Sequence, residues 1–140
     1  MSVTIFLGSD SDFEIIKEGL DIFKEFGVPF NLEVTSAHRT PDRTTKLIRE
    51  AEKSGTKVFL AVAGKAAHLP GVVASQTILP VIGVPVESQA LAGLDALLSM
   101  VQMPKGVPVA TVALGKAGGA NAALLAISIL ALSDGELKEK

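Results

Sequence analysis

The chain contains two histidines, His38 and His68, and each stands in a short phrase that follows an apolar, strand-like run. Imidazole titrates near neutral pH, so it can give and take a proton within one cycle. His38 lies in Ser36-Ala37-His38-Arg39-Thr40-Pro41, where Arg39 supplies a planar fork of donors that matches a phosphate. His68 lies in Ala63-Gly64-Lys65-Ala66-Ala67-His68-Leu69-Pro70-Gly71, whose small residues let backbone N–H groups approach a ligand closely. A third phrase, Gly8-Ser9-Asp10-Ser11-Asp12, brings two hydroxyls and free N–H groups to the start of a helix, which suits a phosphate. Asp12 is placed to accept from ribose hydroxyls. Each phrase also has a plainer reading: a turn histidine, a tight strand-to-helix turn, ordinary helix capping. Convergence favours the chemical reading, because three successive strand ends carry Ser/Asp, His/Arg and Gly/His.

The elements that position these loops follow from the pattern of apolar residues. Val3 to Leu7 reads as the first strand. A helix from Asp12 to Phe26 carries Phe13, Ile16, Leu20 and Phe23 on one face and stops at Gly27. Phe30 to Val34 is the second strand. Thr40-Pro41 opens the second helix as N-cap and first-turn proline, and it ends near Gly55. Val58 to Ala63 is a continuous apolar run suited to a buried parallel strand. The scheme then repeats: a helix from Pro70 to Thr77, a strand from Val81 to Val84, a helix from Leu91 to Met100, a strand from Val109 to Leu114 and a last helix from Ala120 to Leu132. Alternating strands and helices imply an α/β fold with a parallel sheet covered on both faces. Ligands of such sheets bind beyond the carboxyl ends of the strands, so the loops after the first four strands are the ones to inspect. Lys116-Ala117-Gly118-Gly119-Ala120-Asn121 reads as glycine that permits close packing, with a second anion site as the alternative.

At 140 residues the chain is one domain, residues 1–140, long enough for a real core. Its net charge of -2 gives no footprint for a DNA- or RNA-binding surface. It has no cysteine, which excludes thiol catalysis, disulfides and the usual zinc sites. No basic secretory leader precedes the first strand, and a cytoplasmic location is expected. The longest apolar stretch, Ala117 to Leu132, falls short of the roughly 20 residues a membrane span needs. Between Ala66 and Leu132 the only charged residues are Glu87, Asp95, Lys105 and Lys116. A half-chain this apolar is expected to cover itself with another subunit; the alternative is a central layer simply buried on both faces.

Taken together, the phrases closely resemble the PurE family. The matching pieces are Gly8-Ser9-Asp10-Ser11-Asp12, Ser36-Ala37-His38-Arg39-Thr40-Pro41, Ala66-Ala67-His68-Leu69-Pro70-Gly71, Pro80-Val81-Ile82-Gly83-Val84-Pro85 and Val101-Gln102-Met103-Pro104, followed by Gly106-Val107-Pro108-Val109-Ala110-Thr111. They keep the family's order and cover nearly the whole chain. The resemblance implies a flavodoxin-like three-layer α/β/α sandwich and a homo-octamer with sites between subunits. It implies no metal and no organic cofactor. The implied activity, in purine biosynthesis, is transfer of a carboxylate from N5 to C4 of an aminoimidazole ribonucleotide, with CO2 released and recaptured. By the same resemblance Ser9, Ser11 and Arg39 hold the 5′-phosphate, and Asp12 takes the ribose hydroxyls. Ser36 is a further substrate contact. His38 is the proton shuttle, and His68, with backbone groups at Gly64 and Leu69, lines the carboxylate pocket. The Gln102-Met103-Pro104 loop closes a neighbouring subunit's site.

Lys65 departs from the family, standing where the mutase branch usually has glycine, and Phe13 is a mild change at a position that is commonly aromatic and often tryptophan. The chain reads as mutase-like, with direct carboxylation by CO2 as the alternative. From other classes, a phospho-receiver domain would need an aspartate where Ala63-Gly64-Lys65 stands. A flavodoxin-like module binding a nucleotide or flavin would have few stacking aromatics, because the chain has no Trp or Tyr.

Overall fold

The computed structural model describes residues 2–140. Five strands, β1 (Val3–Leu7), β2 (Phe30–Val34), β3 (Val58–Gly64), β4 (Val81–Val86) and β5 (Ala110–Thr111), form one sheet in the order β2-β1-β3-β4-β5. Every pairing is parallel, from Val3 beside Phe30 and Val58 to Ile82 beside Ala110. Six helices connect or follow them: α1 (Phe13–Phe26), α2 (Pro41–Lys53), α3 (Leu69–Ala74), α4 (Leu94–Val101), α5 (Gly115–Ala131) and α6 (Gly135–Glu139). A single 3-10 turn, Asp10–Asp12, leads into α1.

The strand side chains alternate between two buried layers, as the pleat requires. Val3, Ile5, Leu7, Leu60, Val62, Ile82 and Val84 pack under α1, α5 and α6, against Ile16, Phe23, Ala122, Ile127 and Leu137. Phe6, Phe59, Ala61, Ala63 and Val81 pack under α2, α3 and α4, against Ile48, Val73, Ala96 and Met100. The result is the three-layer sandwich expected, of flavodoxin-like type. No described helix is long and apolar enough to cross a membrane.

α1 ends as its sequence dictates. Gly27 takes a left-handed φ of 70° and donates to Lys24 O at 3.1 Å, while Val28 N–H reaches Phe23 O at 2.8 Å. Other boundaries differ from the sequence expectation. α5 starts at Gly115 rather than Ala120, so Gly118 and Gly119 lie inside a helix. A Cβ on Gly119 would sit 1.9 Å from Ile15 O of α1, so the glycine is there for backbone-to-backbone packing. β5 is two residues instead of six, because only Ala110 and Thr111 pair with β4 before the chain turns off towards α5. α3 stops at Ala74 rather than Thr77, α4 starts at Leu94 rather than Leu91, and α6 had no counterpart in the expectation.

The apolar second half is not fully covered. α4 leaves Leu94, Leu98 and Val101 exposed at 51%, 45% and 53%, spaced four and three residues apart and so on one face of the helix. Leu124, Leu125 and Leu132 are also exposed.

Candidate active site

A cleft of about 1000 Å³ opens beyond the carboxyl ends of β1 to β4. Its walls include Ser9, Ser11, Asp12, Ser36, His38, Arg39, Gly64, His68 and Leu69, so the structure brings the residues singled out in the loops after the first three strands to one place.

The β1 wall is held by its own short-range bonds. Ser9 caps the 3-10 turn: its N–H donates to Asp12 Oδ2 at 3.1 Å, and its hydroxyl oxygen accepts from Ser11 N–H at 3.4 Å. The Ser9 and Ser11 hydroxyls lie 3.0 Å apart and are exposed, so both can turn to an incoming oxyanion. Asp12 is only 8% exposed. Burial pushes its carboxyl above the ordinary aspartate value, an effect opposed by the Ser9 N–H and reinforced by the nearby Asp10 charge.

The β2 loop is folded by Ser36 and Thr40. Ser36 Oγ accepts from Arg39 N–H at 3.0 Å. Thr40 caps α2 by position but makes no side-chain cap bond; its hydroxyl donates back to Ser36 O at 3.1 Å. The side chains of His38 and Arg39 are thereby left exposed at the rim. Arg43 pairs with Glu33 at 3.2 Å, whereas Arg39 joins no ion pair among the described residues and is free for a ligand.

The β3 loop turns tightly, with Ala67 N–H bonded to Lys65 O at 2.8 Å and His68 N–H to Ala66 O at 2.9 Å. Lys65 takes a left-handed φ of 54°, a conformation lysine rarely adopts. It lines the cleft, is exposed, and forms no ion pair among the described residues. His68 precedes α3 without capping it, so its ring is free to meet His38. His38 Nε2 and His68 Nδ1 stand 2.8 Å apart, with the rings edge to face at 4.8 Å between centroids. One proton lies between the two nitrogens, and the bond fixes which nitrogen of each ring faces the other.

A fourth wall was not assigned any residue from the sequence. Val86, Glu87, Ser88, Gln89 and Ala90 follow β4, and Asp95 comes from the first turn of α4. The available signal was rarity: Glu87 and Asp95 are two of the four charged residues between Ala66 and Leu132. The Gln102-Met103-Pro104 loop does not reach this cleft within its own chain; Met103 instead packs against Gly71 of α3. Lys116 to Asn121 lies within α5, with Gly118 and Gly119 buried in helix packing, so the close-packing reading holds there. Among the described residues no group of three or more His, Asp or Glu is placed to hold a metal.

Comparison with known proteins agrees with this fold. The family described as AIR carboxylase matches residues 2–140. The chain is 56% identical over 138 residues to N5-carboxyaminoimidazole ribonucleotide mutase of Pyrococcus horikoshii, covering 99% of this chain and 77% of that protein. It is 53% identical over 138 residues to the protein of the same name from Escherichia coli K12, covering 99% of this chain and 82% of that one. Among solved structures it is similar to Treponema denticola PurE, with a TM-score of 0.88 at 31% identity, covering 98% of this chain and 84% of that chain. With a family match along essentially its whole length, the chain belongs to the AIR carboxylase family.

Proposed function

We propose that the protein is an N5-carboxyaminoimidazole ribonucleotide mutase of purine biosynthesis, interconverting the N5-carboxy and 4-carboxy forms of aminoimidazole ribonucleotide. The observation that carries the reading is the His38–His68 contact at 2.8 Å, at the mouth of a cleft whose β1 and β2 walls hold the exposed Ser9 and Ser11 hydroxyls and an Arg39 guanidinium outside any ion pair among the described residues. Ser9, Ser11 and Arg39 bind the 5′-phosphate, Asp12 accepts from the ribose hydroxyls, and Ser36 shapes the loop between them. Gly64 and Leu69 flank the carboxylate.

The reaction balances without an external reagent. Protonation at N5 breaks the N5–carboxylate bond and releases CO2. The enamine-like C4 attacks that CO2, and removal of the C4 proton restores the aromatic ring. The proton spent at N5 equals the proton recovered at C4, so one base that shuttles it suffices. His38 does this, with His68 orienting it and sharing the proton. Holding CO2 beside C4 is a proximity effect, and excluding water keeps it from escaping. Because a nucleotide phosphate does not cross a bilayer unaided, the reading places the enzyme in the cytoplasm.

We also propose that it works as a homo-oligomer, an octamer by family resemblance. The bare Leu94, Leu98 and Val101 stripe on α4 supports this reading. Light scattering at micromolar concentration should report several times the 14.5 kDa chain mass; a stable, active monomer would refute it.

The second reading, direct carboxylation, is favoured by one observation: Lys65 places a cation at the cleft that attracts bicarbonate or carboxylate. A donor test separates the two. The protein is incubated with the N5-carboxy nucleotide, or with aminoimidazole ribonucleotide plus bicarbonate, and initial rates are compared. Faster use of the N5-carboxy compound is expected. Activity with bicarbonate alone would reverse the assignment.

A further inference from the structure

The β4 wall holds two polar atoms that the chain itself leaves without partners. Ser88 Oγ and Asp95 Oδ1 are shut off from solvent and accept or donate no hydrogen bond, yet both residues line the cleft. On the opposite walls Ser9, Ser11, Asp12 and Ser36 all have local hydrogen bonds. A buried hydroxyl and a buried carboxylate oxygen without partners are costly, and native proteins rarely keep them.

The backbone is arranged to keep Asp95 there. Ala92 and Gly93 are consecutive left-handed residues, with φ of 53° and 91°. A side chain at Gly93 would meet Leu114 at 2.6 Å and Glu87 Cα at 3.2 Å, so only glycine fits. This double turn brings the first turn of α4 down onto the cleft. Non-glycine residues in the left-handed region are costly and concentrate where function over-determines the backbone.

A carboxylate only accepts, so its missing partner is an N–H or O–H group. The sheet order says which end of a ligand that is. β4 lies two strands from β1, beyond β3, which at about 4.8 Å per strand places its wall roughly 10 Å from the Ser9 and Ser11 hydroxyls. That is the far end of a nucleotide whose phosphate sits on the β1 and β2 loops. We propose that Ser88 and Asp95 form the subsite for the heterocycle, Asp95 accepting from the exocyclic N–H, which N5 keeps with or without its carboxylate, and Ser88 donating to the ring nitrogen N3. The proposal rests on the nucleotide reading above and adds a specificity element for an amino-substituted base.

The test compares two ligands on the full-length protein: aminoimidazole ribonucleotide, which carries the amine, and ribose 5-phosphate, which lacks the base. Asp95→Ala and Ser88→Ala are measured by isothermal titration and by melting without ligand. In each variant the dissociation constant for the nucleotide is expected to rise at least tenfold for Asp95→Ala and several-fold for Ser88→Ala, with ribose 5-phosphate changed by less than twofold. Melting without ligand should not fall, because an atom lacking a partner has been removed. Equal losses for both ligands, or no loss for either, would overturn the assignment. So would a lower melting temperature with unchanged affinities, or a change of mass by light scattering, either of which marks a structural or interface role. A parent protein that binds ribose 5-phosphate but not the aminoimidazole nucleotide refutes the functional reading itself, and this subsite with it.

Discussion

His38 and His68 are joined by a single hydrogen bond, and that bond gives their two roles different sizes. At 2.8 Å it is a well-formed contact between two exposed rings, worth about 1 kcal/mol net. Breaking it should lower the melting temperature by only about 3 °C, since a chain of 140 residues has an unfolding entropy near 0.3 kcal/mol/K. If His68 acts by holding His38 in place, losing about 1 kcal/mol of orientation costs about fivefold in rate. Removing the group that moves the proton costs about 10² to 10⁴-fold. His38→Asn should therefore lose two to four orders of magnitude in turnover. His68→Asn, whose amide reaches the position of the imidazole Nδ1, should lose tenfold or less. Both should bind nucleotide and melt nearly as the parent does. The assay is initial-rate conversion of the N5-carboxy nucleotide, followed by ultraviolet absorbance, with melting curves on the same samples. Near-normal turnover in His38→Asn would refute the assignment. Equal, large losses in both variants would show instead that the pair transfers the proton as a unit.

Five other changes probe the remaining parts of the site and its support. Arg39→Lys keeps the charge but loses the fork, so nucleotide affinity should fall about tenfold while a nucleoside without phosphate is unaffected; equal losses would mean Arg39 does not hold phosphate. Lys65→Gly relieves a left-handed lysine and should leave the mutase rate within a few-fold and the preferred carboxyl donor unchanged; selective loss of bicarbonate-dependent activity would identify a direct carboxylase. For Asp12 the folded carboxyl binds its proton more tightly than the unfolded one, so its contribution to stability is fully present below the unfolded value near 3.8 and is lost as pH rises through the higher folded value. Asp12→Asn should accordingly melt no lower than the parent at pH 7, with any gain shrinking as pH falls towards 3.8, and should weaken ribose-bearing ligands; a large loss of stability at pH 7 would mean the charge is stabilising. Gly119→Ala gains about 1 kcal/mol of helix propensity but drives a methyl to 1.9 Å from Ile15 O, and should melt about 5–10 °C lower, whereas Gly71→Ala meets only the end of Met103 and should melt within about 2 °C; equal behaviour would contradict the α1–α5 packing.

What could be read in the sequence was what is local. The first three strands and α1 announce themselves by apolar periodicity and by a glycine stop, and the polar phrases at their ends are contiguous. The start of α5 was hidden because Gly115 to Gly119 reads as a turn by propensity, while close approach to α1 makes glycine the residue that fits inside the helix. The length of β5 was hidden because its apolar run continues past the last residue that finds a partner in β4. The β4 wall was hidden for a different reason. Ser88 and Asp95 are seven positions apart, in no motif, and line the same cleft with the turn at Ala92 and Gly93 between them. Nothing in their local sequence says that their polar atoms lack partners; that is a property of the packed state.

The two sides of the cleft therefore differ in kind. On the β1 and β2 side, Ser9 holds Asp12 and Ser36 holds Thr40, so that wall is built before any ligand arrives and is suited to the part of a substrate that does not change. On the β4 side the partners are missing, so that wall gains most from a ligand and discriminates most strongly against one that lacks the matching donor. A phosphate and ribose are common to many metabolites, whereas the aminoimidazole is not. Preformed contacts suffice for the shared handle, and selectivity belongs where an unmatched group leaves a buried acceptor without a donor. α4 connects that wall to the rest of the molecule: Asp95 on the cleft follows directly after Leu94, which begins the bare apolar stripe. Covering the stripe with another subunit would fix α4 in place and with it the position of Asp95, so the polar wall and the apolar face are two ends of one rigid element.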